Sequence, residues 1–271
     1  MTDHLIEVEP GVEIFASDLG AGDPVVLLHG WGLGHEVWDR QVCSLAAIGR
    51  RAIGLDLRGH GRSSKPLEGY QVERLGADVI AVIEALGLSR VSLVGWSLGG
   101  LSAFRVATAR PDLVDRLVLV CSNGVAAARH PDFPFGHTAA AVEAPLVALE
   151  LSDRPGSREQ QIRNGFGGAP PEPMLRWLSG LAMRVPSWAG IACLRTLFYS
   201  NQVAALPALQ APLVQIVGEG DPVVSRRAAN WLIEQVPGAR QIAIEAGGHF
   251  PMFQAPEAFD RALIEALEGG I

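Results

Sequence analysis

Residues 95–100 read GWSLGG, which sets Ser97 two positions from Gly95 on one side and from Gly99 on the other. A serine in this pattern suggests nucleophilic catalysis. On a tight strand-to-helix turn its hydroxyl stands clear of the backbone, and only residues without bulky side chains fit two positions away. The same turn aims the next backbone N–H, that of Leu98, and the start of the following helix toward any developing negative charge. A glycine-rich turn packed tightly on a sheet would share the pattern, but the buried strand before it and the helical run after it favour the catalytic reading. Serine is a weak nucleophile unless an imidazole takes its proton and a carboxylate orients that imidazole. Of the seven histidines, His249 in AGGHFPMF follows the strand-like run Gln241–Ile244 in a Gly-Gly turn, which places it at a sheet edge. His4, His130 and His137 lie outside such edges. The acid is expected at Asp221 in GEGDPVV, in the chain order Ser, Asp, His. Glu219 is its local rival, although Pro222 favours a turn at Asp221, and CSNG after the run ending at Val120 offers no carboxylate. The loop LLHGWG supplies a last part: the N–H of Trp31 is expected to join that of Leu98 in an oxyanion hole, with His29 ordering the loop.

These groups must be carried by a particular kind of scaffold. The opening runs Leu5–Val8 and Val12–Ala16 alternate with period two around Pro10 and Gly11, as an antiparallel hairpin does. Then the pattern changes to short apolar runs, 25–28, 52–55, 91–94, 116–120 and 212–217, typical of strands buried on both faces of a parallel sheet. Helical spacing falls between them at 37–47, 72–86, 98–109, 225–235 and 256–267, so the fold class is α/β with helices on both faces of a mostly parallel sheet. From 122 to 211 the connection is far longer than a crossover requires. The expected organisation is a core of residues 1–121 and 212–271 with a helical cap insertion at 122–211. Within the insertion, 146–151, 174–183 and 188–199 have helical spacing.

Composition removes other classes. A net charge of −7 without a basic run argues against a nucleic-acid partner. The apolar runs are too short to span a bilayer, and the opening residues MTDHLIEVEP lack the features of a signal peptide, so a cytoplasmic protein is expected. Cys43, Cys121 and Cys193 are scattered thiols without CxxC pairing, and His29, His35 and His60 lack the HxHxDH arrangement of metallo-hydrolases, so neither a metal nor a cofactor is expected. The segment DLRGHGRSS lacks the Lys-Ser/Thr of a phosphate loop and reads as a structural turn. Charge is unevenly spread. The insertion carries seven arginines and a net +1, against −8 for the rest. Those arginines either pair with Glu150, Asp153 and Glu159 or receive an anionic substrate or an acidic carrier protein.

With LHGWG, DLRGHGRS, GWSLGG, GEGD and AGGHF in this order, the chain resembles the α/β-hydrolase superfamily over nearly its whole length. The resemblance implies an eight-stranded sheet, a helical cap over the active site, and carboxylic-ester hydrolysis as the commonest activity. Relatives that open epoxides or remove halides carry an aspartate where Ser97 stands, which disfavours those chemistries. LHGWGLGHEVW with GWSLGG is similar to the pimeloyl-carrier-protein methyl esterases, while DLRGHGRSSKP is similar to arylesterases, cofactor-free haloperoxidases and enol-lactonases. The expected substrate is therefore a small-molecule ester or lactone with an apolar acyl group, and cleavage of a C–C bond beside a carbonyl is open to the same triad. A hydrolase-fold receptor that closes on a ligand is the non-enzyme alternative. His29, Trp96, Phe133, Phe135, Trp177 and Trp188 are the expected pocket residues, with Trp31 and Met174 as further candidates.

Overall fold

The computed structural model describes residues 1–269. In chain order, β1 (Thr2–Glu9) and β2 (Val12–Gly20) form the hairpin, and β3 (Pro24–Leu28) leads through a short 3-10 turn into α1 (Asp39–Ala47). Next come β4 (Arg51–Leu55), α2 (Val72–Ala85), β5 (Val91–Trp96), α3 (Leu98–Ala109) and β6 (Val114–Val120). Between β6 and the next strand the chain makes a helical excursion through α4 (Ala139–Ser152), α5 (Arg154–Phe166), α6 (Glu172–Ala182) and α7 (Ser187–Tyr199). It returns on β7 (Leu213–Gly218), α8 (Arg226–Gln235), β8 (Arg240–Ile244), the short α9 (Pro251–Gln254) and α10 (Pro256–Glu268). All eight strands join one sheet in the order β1-β2-β4-β3-β5-β6-β7-β8. β1 with β2 and β2 with β4 are antiparallel, and every other pairing is parallel, as the alternation of apolar runs and helical segments predicts.

The two-residue period divides the apolar strand residues between two cores. Val26, Leu28, Ile53, Leu55, Leu93, Leu117 and Leu119 face Leu75 and Val79 of α2 and Phe104 of α3. Their neighbours Val25, Leu27, Ala52, Val94, Val118 and Val120 face Leu45 of α1 and Phe259 and Leu263 of α10. Both faces of the sheet are thus covered, and this is why its central strands read as continuous apolar runs.

α5 lies outside the segments with helical spacing, because RPGSREQQIRNGF has too few apolar residues to display a helical stripe. Its ends carry the signal instead. Asp153 caps the first turn by accepting from the Gly156 N–H at 3.0 Å, Pro155 suits that turn, and Gly167 closes the helix at φ 66. α9, at four residues, is too short for any periodicity to register.

Candidate active site

Ser97 sits between β5 and α3 at φ 52, ψ −115, left-handed backbone that a non-glycine residue adopts only under constraint. The constraint is visible on all sides. A Cβ at Gly95 would collide with the Gly99 carbonyl, one at Gly99 with the Leu28 carbonyl, and one at Gly100 with the Ser122 side chain. The strained peptide is bonded at both polar groups: Ser97 N–H donates to the Val120 carbonyl at 3.1 Å, and Ser122 Oγ donates to the Ser97 carbonyl at 2.9 Å. β5, β6 and α3 therefore hold the serine where local preference would not.

His249 and Asp221 reach it from the loops after β8 and β7. His249 Nε2 lies 3.1 Å from Ser97 Oγ, and His249 Nδ1 lies 3.0 Å from Asp221 Oδ2. With Asp221 ionised, Nδ1 carries the proton donated to the carboxylate and Nε2 is left to accept from the serine hydroxyl. Burial pushes the Asp221 carboxyl upward, but the charge and hydrogen bond of His249 and the N–H groups of Val224 and Val223 outweigh it, so the group is held below the ordinary carboxylate range. Glu219 takes no part in this chain and pairs with Arg226 at 3.2 Å. The His249 loop is itself tied down. Trp96 Nε1 donates to the His249 carbonyl at 2.8 Å, His249 N–H donates to the Gly165 carbonyl of α5 at 3.0 Å, and Gln254 Oε1 accepts from Gly248 N–H at 2.8 Å.

Among the described residues the backbone N–H groups of Trp31 and Leu98 meet no acceptor, whereas the neighbouring Gly32 N–H is taken by His60 Nε2 at 3.1 Å. Leu98 follows Ser97 in the chain and Trp31 lines the same cavity as Ser97, so these two unpaired N–H groups are candidates for binding an oxygen that carries charge. The loop that presents Trp31 is braced by histidines. His29 donates from Nδ1 to the Gly30 carbonyl at 2.7 Å and accepts from Leu57 N–H at 3.0 Å, and His60 donates from Nδ1 to the Arg58 carbonyl at 3.0 Å. Burial lowers both, His60 to about 3, so each stays a neutral one-donor, one-acceptor clip. Gly30 has no room for a side chain, since a Cβ there would come within 2.9 Å of the Trp96 ring.

A cavity of about 1090 Å³ opens beside Ser97 and is lined by both the sheet end and the helical excursion. Leu101, Phe133, Phe135, Leu146 and Phe198 give it apolar walls, and Trp31, Trp96 and His249 border it near the serine. Four of the expected pocket candidates fall elsewhere. His29 is wholly buried in its loop, because both ring nitrogens serve backbone groups. Trp177 packs edge-on against Phe253 and remains partly exposed, as does Trp188, so both lie on the outside of the excursion. Met174, on α6, is half-buried and packs against the core cluster that includes Leu175 and Leu178 instead of lining the cavity. Asn123, His137 and Gln161, which carry no periodic or motif signal, line the cavity through the folding of the excursion.

Six of the excursion's seven arginines pair with carboxylates, while Arg129 lies exposed. Arg158 is buried against Glu150, and Arg154, Arg163, Arg176, Arg184 and Arg195 pair with Glu150, Glu159, Glu172, Glu36 and Glu143 respectively. Two groups of metal-ligating type lie within mutual reach among the described residues, Cys121–Asp221–His249 and His35–Glu36–Asp56. In the first, both His249 nitrogens are engaged, and the buried Cys121 thiol is pushed well up by desolvation and the neighbouring Asp221. In the second, Asp56 binds the N–H groups of His35 and Arg62 and the His35 ring, which ties the loops after β3 and β4 together.

The family profile described as alpha/beta hydrolase fold matches residues 23–256. The AB hydrolase superfamily protein YisY of Bacillus subtilis is 28% identical over 97% of this chain and 98% of its own. A pimeloyl-[acyl-carrier protein] methyl ester esterase of Nitrosomonas europaea is 31% identical over 89% of this chain and 94% of its own. Among solved structures, an esterase from Exiguobacterium antarcticum superposes with a TM-score of 0.94 at 27% identity, covering 99% of this chain and all of that one.

Proposed function

The chain belongs to the alpha/beta hydrolase family, and from that premise we propose that it is a serine hydrolase that cleaves carboxylic esters through an acyl-enzyme. The observation that carries the proposal is the continuous chain of contacts from Ser97 Oγ to His249 to Asp221, at 3.1 and 3.0 Å, beside the cavity. Ser97 Oγ attacks the ester carbonyl carbon as its proton passes to His249 Nε2. The carbonyl oxygen becomes an oxyanion held by the N–H groups of Trp31 and Leu98. Collapse of this intermediate breaks the C–O bond, and the departing alcohol takes the proton from His249. Water, deprotonated by the same imidazole, then attacks the acyl-Ser97 carbonyl and releases the acid. Asp221 keeps His249 in the required tautomer and stabilises the imidazolium. These steps balance without a cofactor.

The substrate proposed is a small ester with an apolar acyl group, a choice supported by the apolar walls of the cavity. A lactone presents the same ester bond in a ring and would react through the same atoms. A carrier-linked methyl ester is the partner suggested by the Nitrosomonas relative. The internal pairing of the excursion's arginines argues for the free small ester first.

The test is hydrolysis of short and medium p-nitrophenyl esters by the parent and by Ser97→Ala. Turnover should fall by about three orders of magnitude or more. Equal activity in the two proteins overturns the assignment. A folded parent without turnover, yet with a ligand-dependent rise in melting temperature, favours the receptor reading.

A further inference from the structure

Trp31, the proposed oxyanion donor, is gripped by the helical excursion rather than by its own loop alone. Its indole Nε1–H donates to the Gly190 carbonyl of α7 at 2.8 Å. Its ring lies 4.5 Å below the guanidinium of Arg158 on α5. Arg158 is immobilised in turn, since its Nε and Nη2 donate to the two carboxylate oxygens of Glu150 on α4 at 2.9 and 2.7 Å. The two side chains are 1% and 0% exposed. Space for this arrangement is reserved in the backbone: a Cβ at Gly190 would collide with Arg158 Nη2, and one at Gly32, beside Trp31, would come within 3.2 Å of Nη1.

A fully buried ion pair gains little stability over apolar residues of the same size, because desolvating both charges offsets their attraction. What it does provide is direction, as a planar fork locked by two hydrogen bonds fixes a cation over one ring. We infer that the Glu150–Arg158 pair is a positioning device for the Trp31 N–H, so that the oxyanion hole is complete only when α4, α5 and α7 are docked around the loop after β3. This rests on the serine-hydrolase reading above. Neither residue touches the reacting atoms, and their effect is transmitted through the indole to the peptide that carries the donor. Transition-state stabilisation should therefore depend on the pair while ground-state binding in the cavity does not.

The experiment compares the parent, the charge-balanced variant Glu150→Leu/Arg158→Met and Trp31→Phe, which keeps a ring but loses the bond to Gly190. Four quantities are read: melting temperature, kcat and KM on a neutral p-nitrophenyl ester, inhibition by an arylboronic acid whose tetrahedral serine adduct places an oxygen in the oxyanion hole, and labelling of Ser97 by a fluorophosphonate. In the double variant we expect a melting temperature close to the parent's and a fall in kcat of about tenfold to a hundredfold, with KM changed by no more than about twofold. Boronate affinity should weaken in parallel with kcat. Trp31→Phe should lose about threefold to tenfold in kcat in the same pattern and carries the test if the double variant unfolds. A folded double variant, or a folded Trp31→Phe, that matches the parent in both kcat and boronate affinity overturns the inference alone. A parent that neither turns over esters nor takes the fluorophosphonate overturns the hydrolase reading and this inference with it.

Discussion

At the scale of single residues, the choice between Asp221 and Glu219 illustrates how little separates two readings of one short loop. Both carboxylates follow β7 within four residues of its end, yet one is nearly buried against His249 and the other is exposed against Arg226. Asp221→Asn should lower kcat by about 10³ to 10⁴, because an amide at that position no longer holds His249 with Nδ1 protonated and Nε2 free. Glu219→Gln should leave kcat within about twofold, since it removes only an exposed pair of small net value. Steady-state kinetics on one ester decides both. A large loss in the Glu219 variant with little in the other would reverse the assignment.

At the scale of elements, the loops after β3 and β4 work as one unit clipped by neutral histidines. Burial depresses His29 and, to about 3, His60, whereas both titrate near 6.5 in the unfolded chain. The unfolded state therefore binds more protons as pH falls below about 6.5, and stability declines by up to about 1.4 kcal/mol per pH unit for each such histidine. His35 has the opposite sign. Burial would lower it, but its hydrogen bond and the charge of Asp56 raise it, so its contribution is complete below the unfolded value and is lost as pH rises through the folded one. Thermal melts between pH 4.5 and 6.5 should isolate the acid-side loss, and His60→Gln, which keeps an acceptor for Gly32 without titrating there, should give a shallower slope. An unchanged slope would remove His60 from the account. The same unit predicts that Gly30→Ala lowers stability by about 1–3 kcal/mol and reduces kcat, because its methyl group must displace the Trp96 ring or the Trp31 peptide. A melting temperature and kcat equal to the parent's would contradict this.

At the scale of the whole molecule, charge and cavity argue for the same kind of substrate. The chain has a formal net charge of −7, and the excursion's arginines are largely consumed by internal pairs. Long-range steering should therefore repel a small anionic ester mildly: kcat/KM for it should rise by about twofold or less with added salt, while that for a neutral ester stays flat. A steep fall with salt for the anionic ester would reveal a cationic approach path and favour an acidic carrier. The cavity also couples distant parts of the chain, since α3, the excursion, α8 and the His249 loop all contribute to its wall.

What the sequence by itself determined is the set of features written in local pattern. Ser97 between its glycines, His249 and Asp221 in their turns, and the strand runs at 25–28, 91–94 and 116–120 are legible because steric clearance, turn chemistry and two-residue periodicity act over a few positions. The tertiary structure decided which aromatic rings face the cavity. Phe133 and Phe135 line it while Trp177 and Trp188 lie on the excursion's outer surface, a difference set by how four helices dock and invisible in residue type. It likewise kept His29 out of the pocket and in the loop-ordering role, with both ring nitrogens engaged by backbone. Of the two uses open to the excursion's arginines it gave Arg158 the pairing with Glu150, and it added the burial of that pair and its seat over Trp31, which the sequence does not mark. Pairs a turn or two apart, such as Arg163 with Glu159, are within reach of the sequence, but contacts such as Arg158 with Trp31 or Arg184 with Glu36 have no period and no fixed spacing, so only the assembled molecule reveals them.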